Sequence, residues 1–294
     1  MRPAAQRERS EATVPAVSAL ELERRRFRRR QTSRSILVSL VSTVVFAVVI
    51  AVVLQNSPGW QVTQQTFFNP EYFWASFPAV LEGLWLNIRV LVVSVIGVAV
   101  VATLVASLRS LRGAVFFPVR VLAAAYTDLF RGVPFIIVLY LVGFGIPALG
   151  FNSRPIDAAV LGTVALVLSY SAYVSEVLRA GIEAVHPSQR LAARSLGFSY
   201  NQTLRLVVLP QALRKVAPAL MNDFVSMQKD VGLISVLGAV DAIRSAQNLT
   251  AISYNYTPYV VAGLLFVLLS WPFIRITDWI TARQRRREQQ GAVV

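Results

Sequence analysis

Residues 35–54, SILVSLVSTVVFAVVIAVVL, run without a charge, a proline or a glycine. About 20 apolar residues of helix cross the hydrocarbon core of a bilayer, so this stretch reads as a membrane span. The rest of the chain agrees. Of its 294 residues 55% are hydrophobic and 15% charged, against roughly 25% charged in an ordinary soluble domain, and the mean hydropathy is +0.56. These values exclude a soluble enzyme, a disordered chain and a secreted disulfide scaffold. The stretch is not expected to be a cleavable leader: it begins only at Ser35, exceeds the usual run of about 7–15 apolar residues, and no small-x-small site follows it.

Outward from this span, five more candidates follow at about 84–108, 118–147, 156–180, 216–240 and 258–280. The candidate at 216–240 is the most interrupted, by Asp223, Lys229 and Asp230. The expectation is an all-α integral membrane protein with six spans. Positive charge marks the cytoplasmic side of a membrane protein. Residues 1–34, the loops 109–120 and 182–215, and the tail after Thr281 hold 22 of the 29 basic residues, whereas the opposite loops hold only Arg154 and Arg244. Both termini are therefore expected inside, as an even span count requires. The net charge of +14 is strung along one membrane face, which argues against a nucleic-acid partner. The run ELERRRFRRRQTSR ahead of Ser35 suits anionic lipid headgroups, and residues 1–20, without periodicity, are expected to be disordered.

Several chemistries have no residues to carry them. There is no cysteine and one histidine, His186, so thiolate and multi-histidine metal sites are excluded. The two lysines, Lys215 and Lys229, follow Arg214 and Gln228, so neither stands in the Gly-Lys-Ser/Thr setting that a phosphate-binding loop needs. Catalysis and a cofactor are not expected of this chain.

The polar segment 182–216 is the most informative. Pro187 can open a helix, since its missing N–H would be unpaired in the first turn anyway. SQRLAARSL follows, rich in helix formers, and Gly197 supplies a left-handed stop. Ser199 and Gln202 have capping-box spacing, so a second short helix is expected, ending at Leu209-Pro210 because the residue before proline disfavours the α conformation. Such a pair of helices forms a knob that another protein can grip; a solvated connector is the plainer alternative.

LAARSLGFSYNQTLRLVVLP, residues 191–210, resembles the EAA signature of binding-protein-dependent ABC importer permeases, with matches at Ala192, Ala193, Gly197, Val207, Leu209 and Pro210. RGVPF at 131–135, SAYVSEVLRAGIEAV at 171–185, LPQALR at 209–214 and MNDFVSMQKDVGLISVLG at 221–238 are similar to the polar amino acid uptake branch. The resemblance covers about 80–283. Leu191 stands where the signature usually has glutamate, so the polar contact of that glutamate is not implied, while helix is retained.

The resemblance implies a type I ABC importer transmembrane domain, residues 81–283, with five core spans. Ahead of it lie the basic segment 1–34, an extra span 35–54 and an extracytoplasmic loop 55–80; a cytoplasmic tail, 284–294, follows. It implies a bacterial inner-membrane importer of polar amino acids working by alternating access. Its partners would be a second permease subunit, identical or homologous, an ABC ATPase dimer that uses ATP and Mg, and an extracytoplasmic solute-binding protein that the polar, aromatic loop 55–80 is placed to touch. Coupling to the ATPase would fall to Pro187, Gln189, Leu191, Ala192, Ala193, Gly197 and Pro210. An ion- or proton-coupled secondary transporter is the alternative; it needs inverted repeats, and no second copy of the 182–216 loop is present.

Charges inside a bilayer are costly and face protein or an aqueous path. Glu176 and Arg179, three apart on one helix, are expected to pair, as are Asp128 and Arg131. Arg89 can snorkel to the outer interface. Lys229 and Asp230 are adjacent and so point to different sides of a helix. They are the candidates for the solute path, beside a structural role in interhelical contact. His186 is expected to be an ordinary solvent-facing residue.

Overall fold

The computed structural model describes residues 19–111, 113–150 and 155–291; of the stretch 1–20 expected to be disordered, residues 1–18 lie outside the described residues, as does the charge at Arg154, while Ala19 and Leu20 are helical. The chain divides into two compact units, residues 1–63 and 64–294.

In the first unit, α1 runs unbroken over Ala19–Gln55. At about 1.5 Å per residue it is about 55 Å long, well beyond the hydrocarbon thickness of about 30 Å. The basic run is thus a continuous helical extension of the span. From Ser35 to Gln55 every side chain is exposed on this chain, as expected of a surface that meets lipid.

The second unit is built around α3 (Pro70–Arg109) and α6 (Ala158–Glu183). The stretch 55–80, expected to be a loop, instead contains α2 (Trp60–Phe67) and the first turns of α3. Asn69 makes that early start possible: its side chain accepts from the N–H groups of Glu71 and Tyr72, with Pro70 in the first turn, which satisfies donors that a helix start leaves open.

The expected span 118–147 is two helices, α4 (Phe117–Gly132) and α5 (Phe135–Ala148), bent by 107°. Val133 precedes Pro134 and takes an extended conformation, φ −96° and ψ 130°, because the proline ring crowds the α region of its predecessor. The span expected at 216–240 also differs. After α7 (Pro187–Ser195) and α8 (Tyr200–Gln202), helix continues through a π turn, Thr203–Val208, into α9 (Leu209–Asp230). A 3-10 segment, Val231–Leu237, then turns at Gly238 and leads to α10 (Ala242–Ser253) and α11 (Thr257–Gly291). Among the described residues four helices are long and apolar enough to cross a membrane, or five with the bent pair as one span, against six expected. α9, which covers most of the remaining expected span, carries Asp223, Lys229 and Asp230 and so falls outside that count of apolar helices.

α6 packs against α3, α4, α5 and α9, while α3 also meets α10 and α11. One core cluster joins Val90, Leu91 and Val98 of α3 to Leu166 and Tyr170 of α6 and Met227 of α9. Another joins Val80 and Leu84 to Ala242, Ala246, Val261 and Leu265. Between them sits a polar pin. Asp241, fully buried, accepts from Asn87 Nδ2 at 2.9 Å and from the Arg244 N–H at 2.8 Å. Asn87 Oδ1 accepts from the Ala242 N–H at 3.1 Å. A buried carboxylate persists only when so paired. Gly83 lets the backbones meet, since a Cβ there would collide with the main chain of Asp241 and Ala242.

Gly83→Ala should therefore force α10 off α3 and destabilise the protein by about 1–3 kcal/mol. Gly263→Ala, in helix interior with nothing within 4 Å of the new Cβ, should be neutral or stabilising by up to about 1 kcal/mol. Thermal unfolding in detergent checks both, and equal behaviour of the two variants would contradict the close-approach account.

Candidate functional site

Where α4 breaks into α5, a cavity of about 190 Å³ opens against the middle of α6 and the last turns of α9. The bend contributes Phe130, Val133 and Phe135; α6 contributes Ser169, Tyr170 and Tyr173; α9 contributes Asp223, Ser226 and Asp230. The α9 residues are spaced by three and four, hence share one helix face. Asp230 accepts a hydrogen bond from the Tyr170 hydroxyl at 2.7 Å, and Tyr173 donates to the Arg131 carbonyl at 3.2 Å. Tyr170 stacks edge-on against Phe135, ring centroids 6.4 Å apart. Two polar atoms facing this region are buried and lack a partner among the described residues: Ser169 Oγ and Asp223 Oδ2. Buried polar groups left open in this way suit a ligand that completes them.

The structure separates the two residues expected on the solute path. Asp230 lines the cavity; Lys229 is exposed and is not among its lining residues. Asp223, which reads in the sequence only as an interruption of a span, is the second carboxylate. The signal was present in the seven-residue spacing of Asp223 and Asp230, two turns apart on one face. Ser169, Tyr170 and Tyr173 carried no comparable signal.

At the other end of α9 stands the 182–216 segment. His186 is exposed but is more than a solvent-facing residue: its Nδ1 accepts from the Ser188 N–H at 3.3 Å and caps α7. α7 ends in a Schellman arrangement, with the Gly197 N–H bonded to the Arg194 carbonyl and the Phe198 N–H to the Ala193 carbonyl. Gly197 has φ 84°, left-handed as expected. Ser199 and Gln202 form the expected capping box. The expected stop at Leu209-Pro210 is absent: Leu209 is helical and donates to Leu204 five residues back. The wide π turn spares the Pro210 ring its clash with the preceding turn and leaves no α-helical bond for its missing N–H to break. The second helix of the knob is thus the start of α9.

On α7, Ala193 is buried, whereas Gln189, Leu191 and Ala192 are exposed, as is Leu196 just beyond. Pro187 sits at its first turn. α7 packs on the π turn, beside a small core of Val185, Val208 and Ala212. Arg190 and Lys215 bond the carbonyls of Ile182 and Ala184, at 2.5 and 2.6 Å, holding the segment to the end of α6.

The expected Glu176–Arg179 pair is present, and it is larger than a pair. Glu176 also binds Arg109 of α3 at 2.5 Å, and Arg179 also binds Glu183. Asp128 and Arg131 do not pair despite the same spacing; both side chains are exposed near the end of α4, where no packed neighbour holds them together. Arg89 is exposed on α3.

Comparison with known proteins bears on both regions. A family described as binding-protein-dependent transport system inner membrane component matches residues 110–286. The arginine transport system permease protein ArtQ of Bacillus subtilis (strain 168) is 38% identical over 194 residues, spanning 65% of this chain and 86% of that protein. The probable glutamine ABC transporter permease protein GlnM of the same organism is 30% identical, spanning 69% and 92%. Among solved structures, an amino acid ABC transporter with histidines aligns with a TM-score of 0.63 at 31% identity, covering 70% of this chain and 94% of that one.

Glu176→Gln should loosen the α3–α6 tie and cost about 2 kcal/mol, as loss of hydrogen bonds to charged groups does. Glu183→Gln, at an exposed side chain, should stay within about 0.5 kcal/mol. Thermal melts of the two variants in detergent compare them, and an unaffected Glu176 variant would contradict the structural role.

Proposed function

The chain belongs to the family of binding-protein-dependent transport system inner membrane components, and from that membership we propose that it is the permease through which a polar amino acid enters the cell. It is a transport subunit of an ABC importer and not itself an enzyme. Hydrolysis of ATP with its magnesium belongs to an ATPase dimer bound at the knob. An extracytoplasmic binding protein delivers the solute, and a second permease subunit, identical or homologous, completes the pathway. The arginine and glutamine permeases among its relatives support the solute class. They do not favour an ion-coupled secondary transporter. The basic loops support a cytoplasmic position for the knob and both termini.

The observation that carries this reading is the continuity of α9. The helix begins at the π turn against α7 and ends at Asp230 on the cavity wall. Closure of the ATPase dimer displaces α7; a continuous helix of about 33 Å, with Pro218 in its interior, passes the displacement to the cavity. Leu191 and Leu196, exposed on and beside α7, make the contact apolar. Gln189, Leu191 and Ala192 form the docking face, while Pro187 and Gly197 fix its ends and Ala193 and Pro210 join it to α9.

A β-branched residue at the left-handed Gly197 is strained by about 1–3 kcal/mol, with no steric collision to add. Gly197→Val should insert normally, lose solute uptake and release the ATPase more readily, and Leu191→Asp should weaken the same contact by desolvating a charge. Co-purification of the ATPase and uptake in proteoliposomes measure both. A double variant with normal uptake and a firmly bound ATPase would overturn the coupling assignment.

A further inference from the structure

The charge inventory of the cavity is one-sided. Asp223 and Asp230 line it, and among the described residues no basic side chain does. Lys229 and Arg131, the basic residues adjacent in sequence to lining residues, are exposed and are not among that lining, and Arg131 offers the Tyr173 hydroxyl its carbonyl. Asp230 has a donor in Tyr170, but Asp223 Oδ2 has none among the described residues. Four aromatic rings, Phe130, Phe135, Tyr170 and Tyr173, complete the wall, and aromatic faces attract cations. A carboxylate away from water is costly unless a cation meets it.

A neutral zwitterion brings a single ammonium to two carboxylates and leaves one unanswered. An acidic solute adds a third negative charge. A solute with a cationic side chain brings two positive charges, one for each aspartate. Its own carboxylate then needs donors, and the cavity has two hydroxyls to give: Ser226, and Ser169, whose Oγ is buried and unpartnered. We propose that the permease cavity selects amino acids with a cationic side chain, Asp223 and Asp230 taking the two positive groups and Ser169 and Ser226 the carboxylate. This rests on the cavity being part of the solute path.

The test compares arginine with citrulline, its neutral near-isostere, by equilibrium binding to the purified permease–ATPase complex in lipid nanodiscs. Charge-assisted hydrogen bonds are about twice as strong as neutral ones, so arginine should bind at least about tenfold tighter, equivalent to about 1.4 kcal/mol. Asp223→Asn should close that gap while the complex stays assembled. The wild-type comparison stands even where a variant assembles poorly. Equal binding of arginine and citrulline overturns the proposal, as does a gap that persists in Asp223→Asn. In either case, if Tyr170→Phe or Asp223→Asn still alters affinity, the cavity remains the solute site and only the cationic class is lost. Binding of neither solute, or binding that no cavity variant alters, removes the cavity from the path and the proposal with it.

Discussion

A buried carboxylate holds the second unit together. Asp241 has no exposed surface, and its hydrogen bonds to Asn87 and to the first turn of α10 are what make that tolerable. Asn87 also bonds the Ala242 N–H and reaches the Val231 carbonyl at 3.4 Å. One side chain on α3 therefore anchors both ends of the segment between α9 and α10. With that segment fixed, Ile234 and Val231 fill the core beside Leu166 and Tyr170. α9 must end at Asp230, and its carboxylate faces the Tyr170 hydroxyl. The geometry of the cavity thus depends on a contact made by α3, which does not itself line it.

The cavity and the knob are two ends of one element. α9 would be an ordinary helix were it not for the π turn that admits Pro210 and seats α7 against its start. In the proposed coupling, a displacement at the α7 end reaches the two carboxylates at the other end of α9. The Arg109–Glu176–Arg179 network secures α3 to α6, the helix against which α9 packs. The 107° bend after Gly132 keeps the far wall of the cavity on a separate helix.

Sequence patterns exposed what depends on local chemistry. Hydropathy located α1, α3, α6 and α11, and the left-handed Gly197, the Ser199 capping box and the Glu176–Arg179 pair follow from short-range spacing. Features set by long-range packing were less legible. Proline punctuation behaved differently at two positions: Val133-Pro134 broke a helix, whereas Leu209-Pro210 did not, because a π turn stabilised by packing on α7 precedes it. Asp241 lay in an expected loop, and only the close approach of Gly83 explains why it is buried. Adjacent charges at 229 and 230 stand out in the sequence, but the second carboxylate on the cavity wall is Asp223, on the same helical face as Asp230 and two turns away.

In the proposed cycle this cavity opens to one side of the membrane at a time under control of the ATPase. The native chain has no cysteine, so Ser226→Cys gives a single reporter on the cavity wall. In the full complex, its labelling by a membrane-impermeant thiol reagent should come from the α7 side without nucleotide and from the opposite side when ATP is trapped. Labelling from the same side in both states, or from neither, would contradict the account.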